Sequence, residues 1–333
     1  MKVETLDRLE AIGPAAWSAL HERARLRSPF LTYAWQREWT RAFAAGRRLD
    51  IRTVKDADGQ LVAVLPLYET PDGVLELVGG PDVSDYLDLL AVAGREEDAW
   101  SALLASHGDG PAWVLHAVPA ASPTVTALST LAGVAGIDVT LGVEERCPVL
   151  SLPESWDAYL AGLTTKHRHE MQRKVRRLWR EAPEARVSCA ARPDEIERRF
   201  GEFLALHRRS RTGKARFMDE RMEDFFRRAV GALAAGDGAR VWFLDTATGP
   251  IASFVTLEWD GTVGLYNSGF DPDQAALSPG LVLLARLVED AIDRGKRRFD
   301  FLRGEERYKY DFGPVPEDVY AVRIGVAPAE RAP

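Results

Sequence analysis

The stretch LSPGLVLLARLVEDAIDRGKRRFDFLRGEE, Leu277 to Glu306, decides how this chain is read. Ser278 and Pro279 are helix-opening residues, serine by capping and proline because its fixed φ suits the first turn. Leu281 to Arg294 repeats apolar residues at helical spacing until Gly295 stops the run. Arg298 to Leu302 then alternates as a strand does and leads into Arg303-Gly304. A short second helix is expected over about Glu305 to Phe312, and a strand over Val319 to Val326. Upstream, Arg240–Leu244, Ile251–Trp259 and Thr262–Ser268 are divided by the turns Ala247-Thr248-Gly249-Pro250 and Asp260-Gly261, so three antiparallel strands are the economical reading. A meander followed by a helix whose amino end faces a loop, then by a strand, suits a pyrophosphate, because unpaired amides and the positive dipole end attract the anion. Ser278, Pro279, Gly280 and Leu281 occupy that position, and an ordinary capped helix is the alternative reading.

A length of 333 residues exceeds what one hydrophobic core usually serves, so two domains are expected. The change comes at Cys147-Pro148, giving domains over residues 1–148 and 149–333. In the first, Pro14 to Gly46 has helical spacing around Trp17, Leu20, Trp35, Trp39 and Phe43, cut in two by Ser28-Pro29. Asp50–Val54 and Leu61–Tyr68 read as strands joined by a turn at Asp58-Gly59, with a third strand over Val74–Val78. Gly79-Gly80-Pro81 and the segment Ser84-Asp85-Tyr86-Leu87-Asp88 follow, then helices near Glu96–Ser106 and Ser122–Ala135 and strands near Trp113–Ala117 and Asp138–Val143. In the second, a short helix over Ser151–Leu163 precedes a basic one over Lys166–Glu181, and helices near Asp194–Ser210 and Asp219–Ala235 flank a polar loop at Arg211–Phe217. Both halves repeat meander, helix and strand, so duplication is one reading of an α/β (α+β) chain.

With 46% hydrophobic and 28% charged residues the chain has the composition of a folded globular protein. No secretory signal and no run of about twenty apolar residues is read, so a soluble cytoplasmic protein is expected. The two cysteines, Cys147 and Cys189, are too few for a disulfide framework and are read as packing residues. His167 and His169 stand two apart on a helix and point to different sides, so no metal site is expected. A net charge of −7 argues against a DNA-coating protein, though not against one basic face. Arg173, Arg176, Arg177 and Arg180, at three- and four-residue steps, make such a face on the basic helix; a solvated helix surface is the other reading.

Taken in order, Ser278-Pro279-Gly280, the helix, Gly295, Phe299-Asp300-Phe301-Leu302-Arg303-Gly304-Glu305 and Tyr308-Lys309 resemble the carboxyl half of GNAT (Gcn5-related N-acetyltransferase) proteins of the CelD-like, cellulose-biosynthesis group, which are similar to the FemABX transferases. The Lys166–Arg177 run and Ser84-Asp85-Tyr86-Leu87-Asp88 match that group too, and the resemblance spans roughly residues 30 to 325. The usual phosphate loop, Gln/Arg-x-x-Gly-x-Gly/Ala, is replaced by Ser278-Pro279-Gly280. The resemblance implies two GNAT-like domains in tandem, each a mixed, mostly antiparallel sheet flanked by helices, the first on the acceptor side and the second binding the donor.

It further implies direct attack of an amine on a thioester, with acetyl-CoA or another acyl-CoA as co-substrate and a small-molecule or glycan amine as acceptor. The main chain of Leu265 to Ser268 is the candidate for holding the carbonyl oxygen, with Tyr266, Asn267 and Ser268 at the donor. Asp85, Asp88 or Glu305 is the expected base and Tyr308, with Tyr310 as substitute, the expected acid. Tyr86, Arg303, Lys309 and Arg173 are the expected acceptor contacts, and Glu305 and Lys309 have the spacing of one helix face. A surface ion network and turn acids are the competing explanations for these residues. Two other functions stay open: an aminoacyl transferase that takes its group from transfer RNA, and a non-catalytic binding module that has lost its donor loop.

Overall fold

The computed structural model describes residues 1–210 and 217–325; the loop expected at Arg211–Phe217 therefore falls mostly outside the described residues. The chain forms two compact units, one of Met1–Arg146 together with the segment from Glu317 onward, the other of Cys147–Pro316.

The first unit contains β1 (Lys2–Leu6), α1 (Pro14–Arg23), α2 (Tyr33–Phe43), β2 (Leu49–Lys55), β3 (Leu61–Glu69), β4 (Leu75–Leu77), β5 (Leu90–Ala91), α3 (Glu96–Ala105), β6 (Trp113–Pro119) and α4 (Pro123–Ala135). Strand β7 (Val139–Ser151) then runs into the second unit. That unit continues with α5 (Trp156–Gly162), α6 (Thr165–Glu181), β8 (Arg186–Ala190), α7 (Pro193–Ser210), α8 (Glu220–Ala234), β9 (Ala239–Thr246), β10 (Gly249–Trp259), β11 (Thr262–Phe270), α9 (Pro279–Asp293), β12 (Arg298–Asp300) and α10 (Arg307–Tyr310), before β13 (Val315–Ile324). Each unit is a mixed α/β structure with a mostly antiparallel sheet flanked by helices.

The same order of elements occurs twice. Strands β2, β3 and β4 form an antiparallel meander with β1 on its outer edge, and β6 joins β4 in parallel after α3. Strands β9, β10 and β11 form the second meander with β8 on its edge, and β12 joins β11 in parallel after α9. A parallel neighbour needs a crossover connection, and α3 and α9 supply it. The repetition extends to single residues: shortly beyond each parallel pairing stands a non-glycine residue of positive φ, Ala117 at 59° within β6 and Leu302 at 54° after β12. A bulky residue is an uncommon occupant of that region.

The second domain was expected to run to residue 333, but residues from Glu317 onward belong to the first unit, because Val319–Ile324 pair with Trp113–Pro119 of β6. The second unit is completed instead by Val149–Ser151 of β7 against β12. The short edge strands β1 and β8 carry no clear apolar alternation, and the sequence reading left them out.

The second unit's core forms around α9, a helix apolar on nearly all sides: Val282, Leu283, Leu284, Leu287, Val288 and Ile292 are all buried. Burying each such side chain is worth about 1.5–3 kcal/mol. Helix α6 is the opposite kind, burying Met171 and Leu178 and leaving its long cationic side chains outward. Across the sheet from α9, α7 lies directly on β11: a Cβ at Gly269 would stand 2.4 Å from the backbone nitrogen of His207, so only glycine admits the helix. Cys147 is buried as expected, whereas Cys189 is exposed on edge strand β8.

Candidate active site

Three local features of the second unit converge. Parallel pairing between β11 and β12 covers only Thr262–Gly264 and Arg298–Asp300, so β11 beyond Gly264 has lost its ladder partner on that side. On its other side the register with β10 slips between Val255 and Thr256, which pair with Asn267 and Leu265 and leave Tyr266 as a bulged residue. Bulges of this kind re-aim a strand. The third feature is the start of α9. Ser278 stands at the cap position with φ 53° and ψ 47°, and its side chain makes no capping bond, contrary to the expected serine cap. Pro279 has no N–H, so the first-turn amides of Gly280 and Leu281 point outward without a side-chain acceptor.

A cavity of about 320 Å³ opens on this helix end, lined by Phe254, Ser268, Phe270, Ser278–Leu281 and Tyr308, with Lys174, Ser210, Ala275 and Glu306 at its rim. A second, of about 670 Å³, shares Lys174, Leu281 and Tyr308 with it and extends along α6 past Lys166, His167 and Glu170 to Arg307, Tyr310 and Asp311. The His167 Nε2 lies 3.7 Å from Asp311 Oδ1. Lys174 reaches Glu170 Oε1 at 3.5 Å, but Arg173 takes both oxygens of that carboxylate at 2.8 and 2.9 Å and, as the larger influence, holds it down to about 2.

Of the residues expected at the donor, Ser268, Ser278, Pro279, Gly280 and Leu281 line the smaller cavity together with Tyr308. Tyr266 turns its ring to Phe226 of α8, 5.5 Å away and edge-on, and Asn267 is paired across to Val255; neither is among the residues lining the two cavities. The expected helix over Glu305–Phe312 is only the turn Arg307–Tyr310, so Glu305 and Lys309 do not share a helix face. Lys309 is buried, its ammonium fully engaged by the carbonyls of Arg303 and Gly304 and by Glu306, each at 2.9 Å. It ties the loop that carries Tyr308. Arg303 holds that ammonium through its carbonyl and is absent from both cavity walls, while Glu305 is exposed and accepts the Tyr310 hydroxyl at 2.8 Å. Arg173 faces solvent in its pair with Glu170.

Asp85, Tyr86 and Asp88 belong to the first unit, where their segment serves the fold. The Tyr86 carbonyl accepts from Ser28 Oγ, Leu87 N–H donates to the Ala117 carbonyl, and Trp35 Nε1 binds Ser84. Gly79 ahead of it has φ 114°, and a Cβ there would meet Leu87 at 2.7 Å. Asp88 is 2% exposed and receives the hydroxyls of Ser122 and Thr124 and the Leu89 N–H. Burial pushes it up to about 6 against the pull of those donors, a range suited to a base, but both oxygens are committed to the start of α4. The residues that the sequence reading overlooked are Lys174, His167, Glu306 and Asp311. Met171 and Leu178 fix the buried face of α6, and Lys174 lies three residues past Met171; that spacing was the available signal.

Residues 165–310 match the family described as "Acetyltransferase (GNAT) domain", beginning with α6 and ending with α10. The match spans most of the second unit. No curated protein matches the sequence. Among solved structures, the chain is similar to FemX (TM-score 0.64, 11% identity, 97% of each chain covered). It is also similar to the C-terminal domain of an Agrobacterium fabrum protein named as a lysylphosphatidylglycerol synthetase (TM-score 0.61, 11% identity, 96% of this chain and 94% of that one). L-PGS from Bacillus licheniformis shares the fold as well (TM-score 0.59, 11% identity, 93% and 90%). At such identities the likeness is one of fold. Among the described residues no cluster of His, Cys, Asp and Glu is arranged to hold a metal ion, and no helix is long and apolar enough to cross a membrane.

Proposed function

We propose that the second unit is an N-acyltransferase that moves an acetyl or other acyl group from an acyl-CoA thioester to an amine by direct attack. One observation carries the reading: the uncapped start of α9 and the part of β11 beyond its pairing with β12 open on the same partly apolar cavity. The amides of Gly280 and Leu281 offer donors to the pyrophosphate, and the main chain of β11 beyond Gly264 is the candidate donor to the oxyanion formed when the amine adds. The amine nitrogen forms a bond to the acyl carbon, the carbon–sulfur bond breaks, and the thiolate takes a proton from Tyr308. The proton lost by nitrogen goes to His167, which stands 3.7 Å from Asp311 in the adjoining cavity. The CelD-like group is the subfamily in which we place the chain.

An aminoacyl transferase using charged transfer RNA is the second reading, favoured by the cations of α6 and opposed by the net charge of −7. Thermal melting with acetyl-CoA, longer acyl-CoAs and charged transfer RNA separates the two, since a ligand of the native state alone raises the midpoint with its concentration. A rise with a coenzyme A ester and amide formation from it supports the proposal. No rise with any such ester defeats it, a rise with charged RNA alone favours the second reading, and binding without turnover points to a non-catalytic module.

A further inference from the structure

We infer that the acceptor is a small amine bearing an anionic group, a carboxylate or a phosphate, held in the 670 Å³ cavity by Lys166, Lys174 and Arg307; this rests on the acyltransferase reading above. The cavity has the volume of a small-molecule site, and three of the residues lining it are lysine or arginine, with Lys166 and Arg307 exposed at its surface. Lys166 and Lys174 come from α6 and Arg307 from α10, so two separate elements direct positive charge into one space. Among the described residues neither Lys166 nor Arg307 has an ion-pair partner, in a protein that pairs most of its arginines. Of the two carboxylates in the wall, Glu170 is held by Arg173 from outside and, more distantly, by Lys174, and Asp311 faces His167, which leaves Lys166 and Arg307 without a carboxylate.

The charge of α6 makes the same point independently. Its first turn, Thr165 to Arg168, contains two cations and no acid, although the dipole at a helix start favours acids. Thr164 caps the turn through the His167 N–H at 3.2 Å, so the helix is built normally and the local charge is the anomaly. A bound anion relieves it. An anion held between Lys166 and Arg307 places the rest of an acceptor toward Tyr308, Leu281 and Lys174, the residues common to both cavities, which is where the amine must meet the acyl carbon. The walls enclose a pocket rather than a long basic stripe, which suits a small molecule better than a nucleic acid backbone.

The test compares acylation of three amine sets under saturating acetyl-CoA: amino acids and amino-phosphates, neutral amino sugars, and polyamines. Anionic amines should show kcat/KM at least about tenfold above neutral ones, the scale of a charge-assisted hydrogen bond. Lys166→Ala and Arg307→Ala should each raise KM for the anionic amines about tenfold or more while leaving neutral amines and the acetyl-CoA melting shift unchanged. Arg180→Ala, which removes a solvent-facing charge bound to Glu181, should leave all of them unchanged. Equal or better use of neutral amines or polyamines, or equal losses on all acceptors in the two variants, overturns the inference. An absent acetyl-CoA shift overturns the acyltransferase reading instead, and the two failures are thereby distinguished.

Discussion

The starts of α3 and α9 occupy equivalent places in the two units, each between the last meander strand and its parallel partner, yet they carry opposite charge. Helix α3 opens with Glu96, Glu97 and Asp98, and Glu96 folds back to accept the Gly94 N–H at 2.7 Å. Helix α9 opens with Pro279, Gly280 and Leu281 and has no acid in its first turn; neither helix has a side-chain cap. The first arrangement answers the dipole with its own acids and repels an anion; the second has no acid to answer it, which is the feature the proposed donor site uses. One duplicated architecture thus yields a helix start that completes itself and one that is incomplete alone. A second contrast follows the parallel strands. One residue before the left-handed position, the first unit has His116 between Glu144 and Glu76, while the second has Phe301 packed edge-on against Phe299 and tilted against Phe312.

Transferring the acid of α3 to α9 should have the largest effect. Gly280→Glu has room for its side chain, since a Cβ there meets only the Phe254 ring at 3.9 Å. It should weaken acyl-CoA binding by roughly a hundredfold or more, as a carboxylate both occupies the amides and repels phosphate; an unchanged melting shift with acetyl-CoA would break the comparison. Next is Tyr308→Phe, expected to lower kcat about tenfold to a hundredfold with donor affinity retained, the range for loss of general acid catalysis. Full turnover would remove Tyr308 as the acid.

In the first unit the expected effects are on stability. Asp88→Ala strands the Ser122 and Thr124 hydroxyls and the Leu89 N–H and should cost roughly 2–4 kcal/mol in denaturant unfolding with kcat preserved. Loss of turnover in folded protein would instead return Asp88 to the chemistry. The smallest effect concerns pH. The Glu144 hydrogen bond, then Glu76, raises His116 to about 9, above its ordinary 6.5. Its contribution is complete below about 6.5 and is lost as pH rises through about 9, so the melting midpoint should fall across that interval and His116→Gln should flatten the decline.

Much of this was legible in residue order. Turn chemistry at Asp58-Gly59 and Asp260-Gly261, the apolar run of α9 and Gly295 marked both meanders and the crossover helix, because these signals are local. Site residues divided by the same rule. Ser278, Pro279, Gly280 and Leu281 are consecutive and sit where their helix start sits. Glu305 and Lys309 were misassigned because their spacing presumed a helix that begins only at Arg307, and because the Lys309 ammonium turns back onto the carbonyls of its own loop.

By itself the sequence determined the succession of strands and helices and the Ser278-Pro279-Gly280 helix start, since capping, turn formation and helical charge are properties of neighbours along the chain. Only the tertiary structure decided that the last strand completes the first unit, that Asp88 is consumed in holding α4, and that Lys166, Lys174 and Arg307 surround one cavity. Each of those depends on which distant residue supplies a hydrogen-bond partner or a wall. That choice is made by packing among residues far apart in the chain, and no local pattern records it.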